Sequence, residues 1–232
     1  MTKESPASVA AEAEETGLPS GSGERFAGFG VMGLPFASGH VLAMRRFPAS
    51  SIGPGYSSVW YRDPDGRWAL WQNQQDALSC PRYFSAGVSE TRTVGIELSW
   101  PADSTFRVDV PDVGLTWTSH LRSTPVTRGL NAIGRVLPDR AWRARPLLAG
   151  MGLTAGEALR AGKVAMVGTA PNGQDFIANP LRMWVIDEAS AQLGNADFGP
   201  VGPLREQVRL GDFWIPQRGV FTIGRVSFSS DT

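Results

Sequence analysis

The sequence is poor in the groups that support disulfide, metal and redox chemistry. Its single cysteine, Cys80, excludes an internal disulfide and any multi-cysteine zinc site. Two histidines, His40 and His120, could form a metal centre only with carboxylate help, and neither a metal nor a cofactor is expected. Lysine is nearly absent: Lys3 and Lys163 are the only two, so the basic residues are almost all arginine. The 22 basic and 22 acidic residues cancel, which leaves no global field to attract nucleic acid, and no nucleic-acid partner is expected. The sequence has no apolar run of membrane-spanning length and no basic-then-apolar signal layout at its start, so a soluble, cytoplasmic protein is expected. It also lacks a Walker loop, a G-x-S-x-G elbow and an H-E-x-x-H helix. Gly28-Phe-Gly30-Val-Met-Gly33 matches G-x-G-x-x-G, but no strand pattern precedes it and Pro35 follows, so a dinucleotide site is not expected. These glycines suit a loop packed closely against aromatics.

Apolar side chains are plentiful: 42% of 232 residues, with eight Trp and eleven Phe, enough for a sizeable core. Residues 1–24 contain no aromatic and are rich in Ala, Glu, Ser and Gly, which predicts a disordered leader, with at most a short helix around Val9–Glu15. Residues 25–232 then form a single domain. From Gly39 the hydrophobic period is two. Tyr56–Arg62 and Arg67–Asn73 flank Asp63-Pro-Asp-Gly66, a turn sequence that predicts a hairpin. Val94–Trp100, Phe106–Val110 and Leu115–Arg122 continue the meander. Residues 125–162 switch to helical spacing, broken by Pro138 and Pro146, with a capping box at Thr154–Glu157. Strands resume at 163–169, pass an Asn172-Gly173 hairpin signal, and close the chain at Val220–Phe228. The fold class is mainly β: an antiparallel barrel, or two packed half-barrels, with a short helical insert at 125–162.

The aromatic strands carry the functional expectation. Trp60 shares a face with Tyr56 and Ser58, while Tyr61 and Val59 lie opposite, so large rings occupy both faces. That suits a barrel whose lumen holds an apolar ligand, with solid core packing as the plain alternative. On the lumen reading, Trp60, Tyr61, Trp71, Trp100, Trp117 and Met44 bind an apolar or amphiphilic small molecule such as an isoprenoid, a polyketide or a lipid. The alternative is a cofactor-independent hydratase, isomerase or cyclase working by proton transfer in that cavity. It needs a desolvated acid such as Glu97 or Asp187, or His40, with Tyr56 or Tyr61 as donor. Arg128, Arg135, Arg140, Arg143 and Arg145 crowd the insert, and a transient membrane-surface contact through 128–145 is weighed against a solvated face paired with acids. Cys80, with no activating base nearby in sequence, is expected to be inert.

The Arg62–Trp68 and Ala170–Phe176 hairpins, with the aromatic strands around them, resemble the calycin group of lipocalin-like barrels. Within that group the texture is similar to the AttH and carotenoid 1,2-hydratase type over residues 36–228. The resemblance implies two related β-barrel halves acting on apolar substrates. No hydratase catalytic residue finds a matching position, so the resemblance assigns no catalytic role.

Overall fold

A computed structural model describes residues 4–230; the first three residues of the expected leader and the last two of the chain lie outside it. Four strands open the sheet: β1 (Glu24–Pro35), β2 (Val41–Ser50), β3 (Tyr56–Arg62) and β4 (Trp68–Gln72). The meander β5 (Glu90–Thr93), β6 (Glu97–Ala102), β7 (Thr105–Val110) and β8 (Leu115–Arg122) follows. The C-terminal part holds β9 (Val167–Thr169), the long β10 (Asp175–Leu193), β11 (Ala196–Asp197), β12 (Arg209–Leu210), β13 (Phe213–Trp214) and β14 (Gly219–Phe228). The α-helices are α1 (Pro6–Glu14), the one-turn α2 (Pro81–Phe84), α3 (Pro125–Val136) and α4 (Arg145–Leu159).

Twelve strands form one sheet whose path runs β5-β4-β3-β2-β1-β14-β10-β8-β7-β6, with β9 and β11 paired to β10. Pairing is antiparallel except between β4 and β5. The two ends of that path are neighbours in sequence, separated only by residues 94–96. Four Cα steps reach at most about 14 Å, so the edges are brought round toward one another and the sheet curls strongly into a half-barrel. Ring contacts across the curl agree. Phe29 on β1 and Phe106 on β7, with three strands between them in the path, have centroids 6.2 Å apart. Bulges bend the sheet: register slips on β1 between Val31 and Gly33, and on β10 between Pro180 and Arg182, where proline removes a ladder donor.

The glycine motif is part of a strand and not of a loop. A Cβ at Gly28 would sit 2.0 Å from the Arg46 carbonyl oxygen, and one at Gly30 would sit 2.1 Å from that of Met44. These positions accept only glycine because β1 and β2 approach so closely there.

The expectation of a disordered leader needs correction. α1 is capped by Ser5, whose Oγ accepts from the Ser8 amide while Ser8 Oγ accepts from the Ser5 amide. Val9, Ala10 and Ala13 join the barrel's interior cluster, and Glu14 pairs with Arg46 at 2.8 Å. Low hydrophobicity argues against self-sufficient folding, but this helix only has to close a core that other strands build. In the insert, Pro146 starts α4 instead of interrupting it, and Thr154 lies mid-helix, donating to the Gly150 and Met151 carbonyls. The capping box belongs to Thr124 and Thr127 at the start of α3. The expected strand at 94–100 shifts to β6, and that at 163–169 shortens to β9.

The two faces of the sheet are packed differently. The concave face collects Phe29, Met44, Trp71, Phe106, Trp117, Trp184 and Phe221 into one cluster with Val9, Ala10 and Ala13 of α1. The convex face of β1–β4 carries Phe26, Tyr56, Trp60 and Leu70 and is covered by α2 and β13. The convex face of β10 and β14 is covered by α4 through Leu159 against Met183, Val185 and Val220. Among the described residues no helix is long and apolar enough to cross a membrane.

Candidate functional site

Where the convex face meets its cover, a gap remains. It lies over β1, β2, β3, β10 and β14 and under α2, α4, residues 164–166 and 213–216, with a volume of about 140 Å³. An engineered cavity of about 150 Å³ lined by Leu, Ile and Phe stays dry and holds benzene, which sets the size of guest that fits. The wall is mostly apolar: Met32, Phe84, Leu159, Phe176 and Val220 among others.

One charge interrupts it. Arg45 occupies the outward register of β2 between Ala43 and Phe47 and is 5% exposed. Its guanidinium donates to the carbonyls of Val31, Met44 (2.9 Å) and Met32 (3.3 Å), two of them at the β1 bulge where ladder pairing skips. Its Cζ lies 4.9 Å from the Trp60 ring centroid and 5.1 Å from that of Phe213, within cation–π range of two rings that touch each other at 5.5 Å. Burial lowers its pKa to about 10, still far above neutrality, so it is a cation at physiological pH. Beside it Tyr56 Oη and Cys80 Sγ are 3.6 Å apart. Burial raises the pKa of both, most of all Tyr56, so both are neutral, which agrees with an inert thiol.

A polar clamp ties α2 to the start of β1. Glu24 accepts from Arg82 Nη2 at 2.6 Å, from the Tyr83 hydroxyl, and from Gln174 Nε2 at 3.4 Å. Burial pushes the Glu24 carboxyl up, but the Arg82 and Tyr83 hydrogen bonds outweigh it and hold the pKa below the usual carboxylate range. Tyr83 and Phe84, the residues that α2 contributes to the cavity wall, are thereby fixed over the sheet.

The residues singled out from sequence divide between the two faces. Tyr56 and Trp60 line the cavity. Trp71, Trp117 and Met44 are buried in the concave cluster, with Tyr61 and Trp100 packed against it. There the rings touch one another, as with Trp100 and Phe106 at 4.8 Å and Tyr61 and Trp71 at 5.4 Å, so they pack together and do not surround this gap. His40 sits at the barrel rim, stacked on Phe198 at 4.0 Å, its Nδ1 3.1 Å from the Tyr61 hydroxyl. Burial lowers its pKa, partly opposed by the charge of Asp63.

Glu97 is exposed on the edge strand β6, which removes the desolvation an acid catalyst would need. Asp187 accepts two hydrogen bonds from Arg218, at 2.7 and 2.8 Å, and one from Arg122. The Arg218 bonds above all hold its pKa below the usual range, so it is ionised at neutral pH and cannot donate a proton. Neither carboxylate reaches the cavity wall.

In the insert, Arg135 pairs with Glu4 and Arg145 with Asp175, while Val126, Ile133, Val136, Leu147 and Leu153 are exposed. Among the described residues no three His, Cys, Asp or Glu side chains converge as metal ligands. Arg45, the central polar group, carried a sequence signal of its own: a charge in the register of Val41, Ala43 and Phe47, where every neighbour is apolar.

The class defined by this geometry is a curled antiparallel half-barrel whose cavity lies between its convex face and a helical cover. No family model matches the chain, and no curated protein matches it in sequence. Among solved structures it is similar to an acetoacetate decarboxylase from Legionella pneumophila, with a TM-score of 0.43 and 10% identity. That match covers 92% of this chain and 87% of the other.

Proposed function

We propose that the protein binds a small apolar molecule in the cavity between the convex sheet face and its cover. The observation that carries this reading is the gap itself: about 140 Å³ of space with an apolar wall in a molecule whose other face is filled. The size narrows the guest to a single ring or a chain of about six carbons, judged against the benzene-holding cavity of about 150 Å³. Long isoprenoids and polyketides exceed it. The calycin resemblance enters this reading only as far as a curled sheet serving an apolar ligand, with the ligand outside the barrel and not in its lumen.

Proton-transfer catalysis is the weaker reading. The cavity wall carries no Asp, Glu or His. Tyr56 and Cys80 are held neutral, and Arg45 is held cationic, so none of the three exchanges a proton near neutral pH.

Titration with benzyl alcohol, followed by tryptophan fluorescence, tests the proposal, since Trp60 forms part of the wall. Saturable quenching is expected in the native protein. It should be lost in Ala178→Leu, which fills the gap from β10, while far-UV circular dichroism stays the same. Absence of saturation in the native protein would overturn the reading, and conversion of an added unsaturated or carbonyl compound would favour catalysis.

A further inference from the structure

The proposed cavity has one feature that a site for a purely apolar guest does not need. Arg45 is buried in its wall, and among the described residues no carboxylate lies within ion-pairing distance of it, although the surface arginines around the molecule pair repeatedly with Asp and Glu. Moving a guanidinium out of water is costly, and neutral carbonyl acceptors offset only part of that cost. Its neighbours supply no counter-charge: the nearest acidic protons, on Tyr56 and Cys80, stay in place.

The bonds already made define what is left. Nη1 donates to the carbonyls of Val31 and Met44, and Nη2 gives one hydrogen to that of Met32. The Nε–H and the second Nη2–H remain uncommitted. A guanidinium grips a carboxylate through two such adjacent N–H groups, with both oxygens engaged at once. Three carbonyl bonds, with Trp60 and Phe213 packed beside the guanidinium, hold it in place before a ligand arrives, so little side-chain entropy remains to be lost on binding.

From this we infer that the cavity's ligand is a small apolar monocarboxylate, its carboxylate on Arg45 and its hydrocarbon body against Met32, Phe84 and Val220. The inference rests on the reading of this gap as a binding site and narrows it to one ligand class. One guanidinium matches one carboxylate charge, and no second cation with comparable burial lines the gap: Arg225 is half-exposed and paired at 3.8 Å with Asp139.

Calorimetric titration of the full-length protein with benzoate and with benzyl alcohol separates the two levels of the claim. The probes share the ring and differ in charge. Benzoate should bind about 10- to 100-fold more tightly, the range expected for a charge-assisted bond relative to a neutral one. In Arg45→Met this preference should vanish while benzyl alcohol still binds; in Arg45→Lys, which keeps the charge but not the fork, part of it should survive. If benzyl alcohol binds the native protein as tightly as benzoate, the carboxylate inference is wrong and the cavity reading stands. If neither probe binds, both fall. Should Arg45→Met not fold, the ratio measured on the native protein still decides.

Discussion

The two faces of one sheet carry the same aromatic stock and end in different states. On the concave side the strands close on themselves, so Phe29, Phe106, Trp100 and Phe221 meet from strands far apart in the path and fill the space with rings 4.8 to 6.2 Å apart. On the convex side the covering pieces are separate: a one-turn helix, a fifteen-residue helix and a two-stranded ribbon. Curling a continuous sheet leaves each residue's neighbour set by hydrogen-bond register. Laying discrete pieces over a convex surface does not, and the seam between them holds the gap. A fold of this kind can therefore keep stability on one face and adaptable space on the other.

Substitutions on either side break or sharpen that contrast. The largest effect belongs to the filled face. Phe106→Ala should cost about 3–5 kcal/mol, as for a fully buried ring. In a chain of this size that lowers Tm by roughly 6–20 °C, with benzyl alcohol affinity unchanged. Calorimetry showing a small loss would mean the interior is looser than its ring contacts indicate.

Next comes one substitution made on both faces. Ala191→Leu adds volume to the concave cluster and should destabilise by about 1–3 kcal/mol. Ala178→Leu adds the same volume beside the gap and should stay within about 0.5 kcal/mol of the native protein, because the new methyl groups have space. Equal losses in urea melts would erase the distinction between the faces.

The smallest concerns how the cover is held. Glu24→Gln should cost about 1–2 kcal/mol by weakening the bonds from Arg82 and Tyr83. Because the folded pKa of Glu24 lies below its unfolded value, its contribution is full above the ordinary carboxylate range of about 4.3. It is lost as pH falls through the lower folded value. The difference in stability between native protein and variant should therefore shrink in acid; a difference that persists unchanged at low pH would remove the clamp from the account.

Much of the fold could be read from short-range chemistry. Asp63-Pro-Asp-Gly66 and Asn172-Gly173 place two hairpins because their backbone preferences are local, and Gly66 and Gly173 do adopt φ of 94° and 92°. The alternation that sets Tyr56 and Trp60 against Val59 and Tyr61 was also visible, since period two is a property of any strand. β1 was not legible: its glycines answer to the approach of β2, a partner the local sequence does not reveal. A short helix around Val9–Glu15 was legible, but its docking in α1 was not, since Val9, Ala10 and Ala13 are too small to signal a core helix and matter only because an open barrel end awaits them. At the site, sequence singled out Tyr56 and Trp60 but passed over Arg45, although its charge falls in the apolar register of Val41, Ala43 and Phe47.

Strand propensity, turn residues and the two-residue rhythm are encoded within a few positions, and they alone specified an antiparallel, aromatic-rich β protein with a helical insert. Which face became the inside depended on the direction of curl, and that is fixed by bulges and by the short link across residues 94–96, interactions between segments far apart in the chain. The same long-range closure shut Trp71 and Trp117 into a solid centre and placed a lone guanidinium beside empty space, because burial is a property of the assembled molecule and not of any single stretch of it.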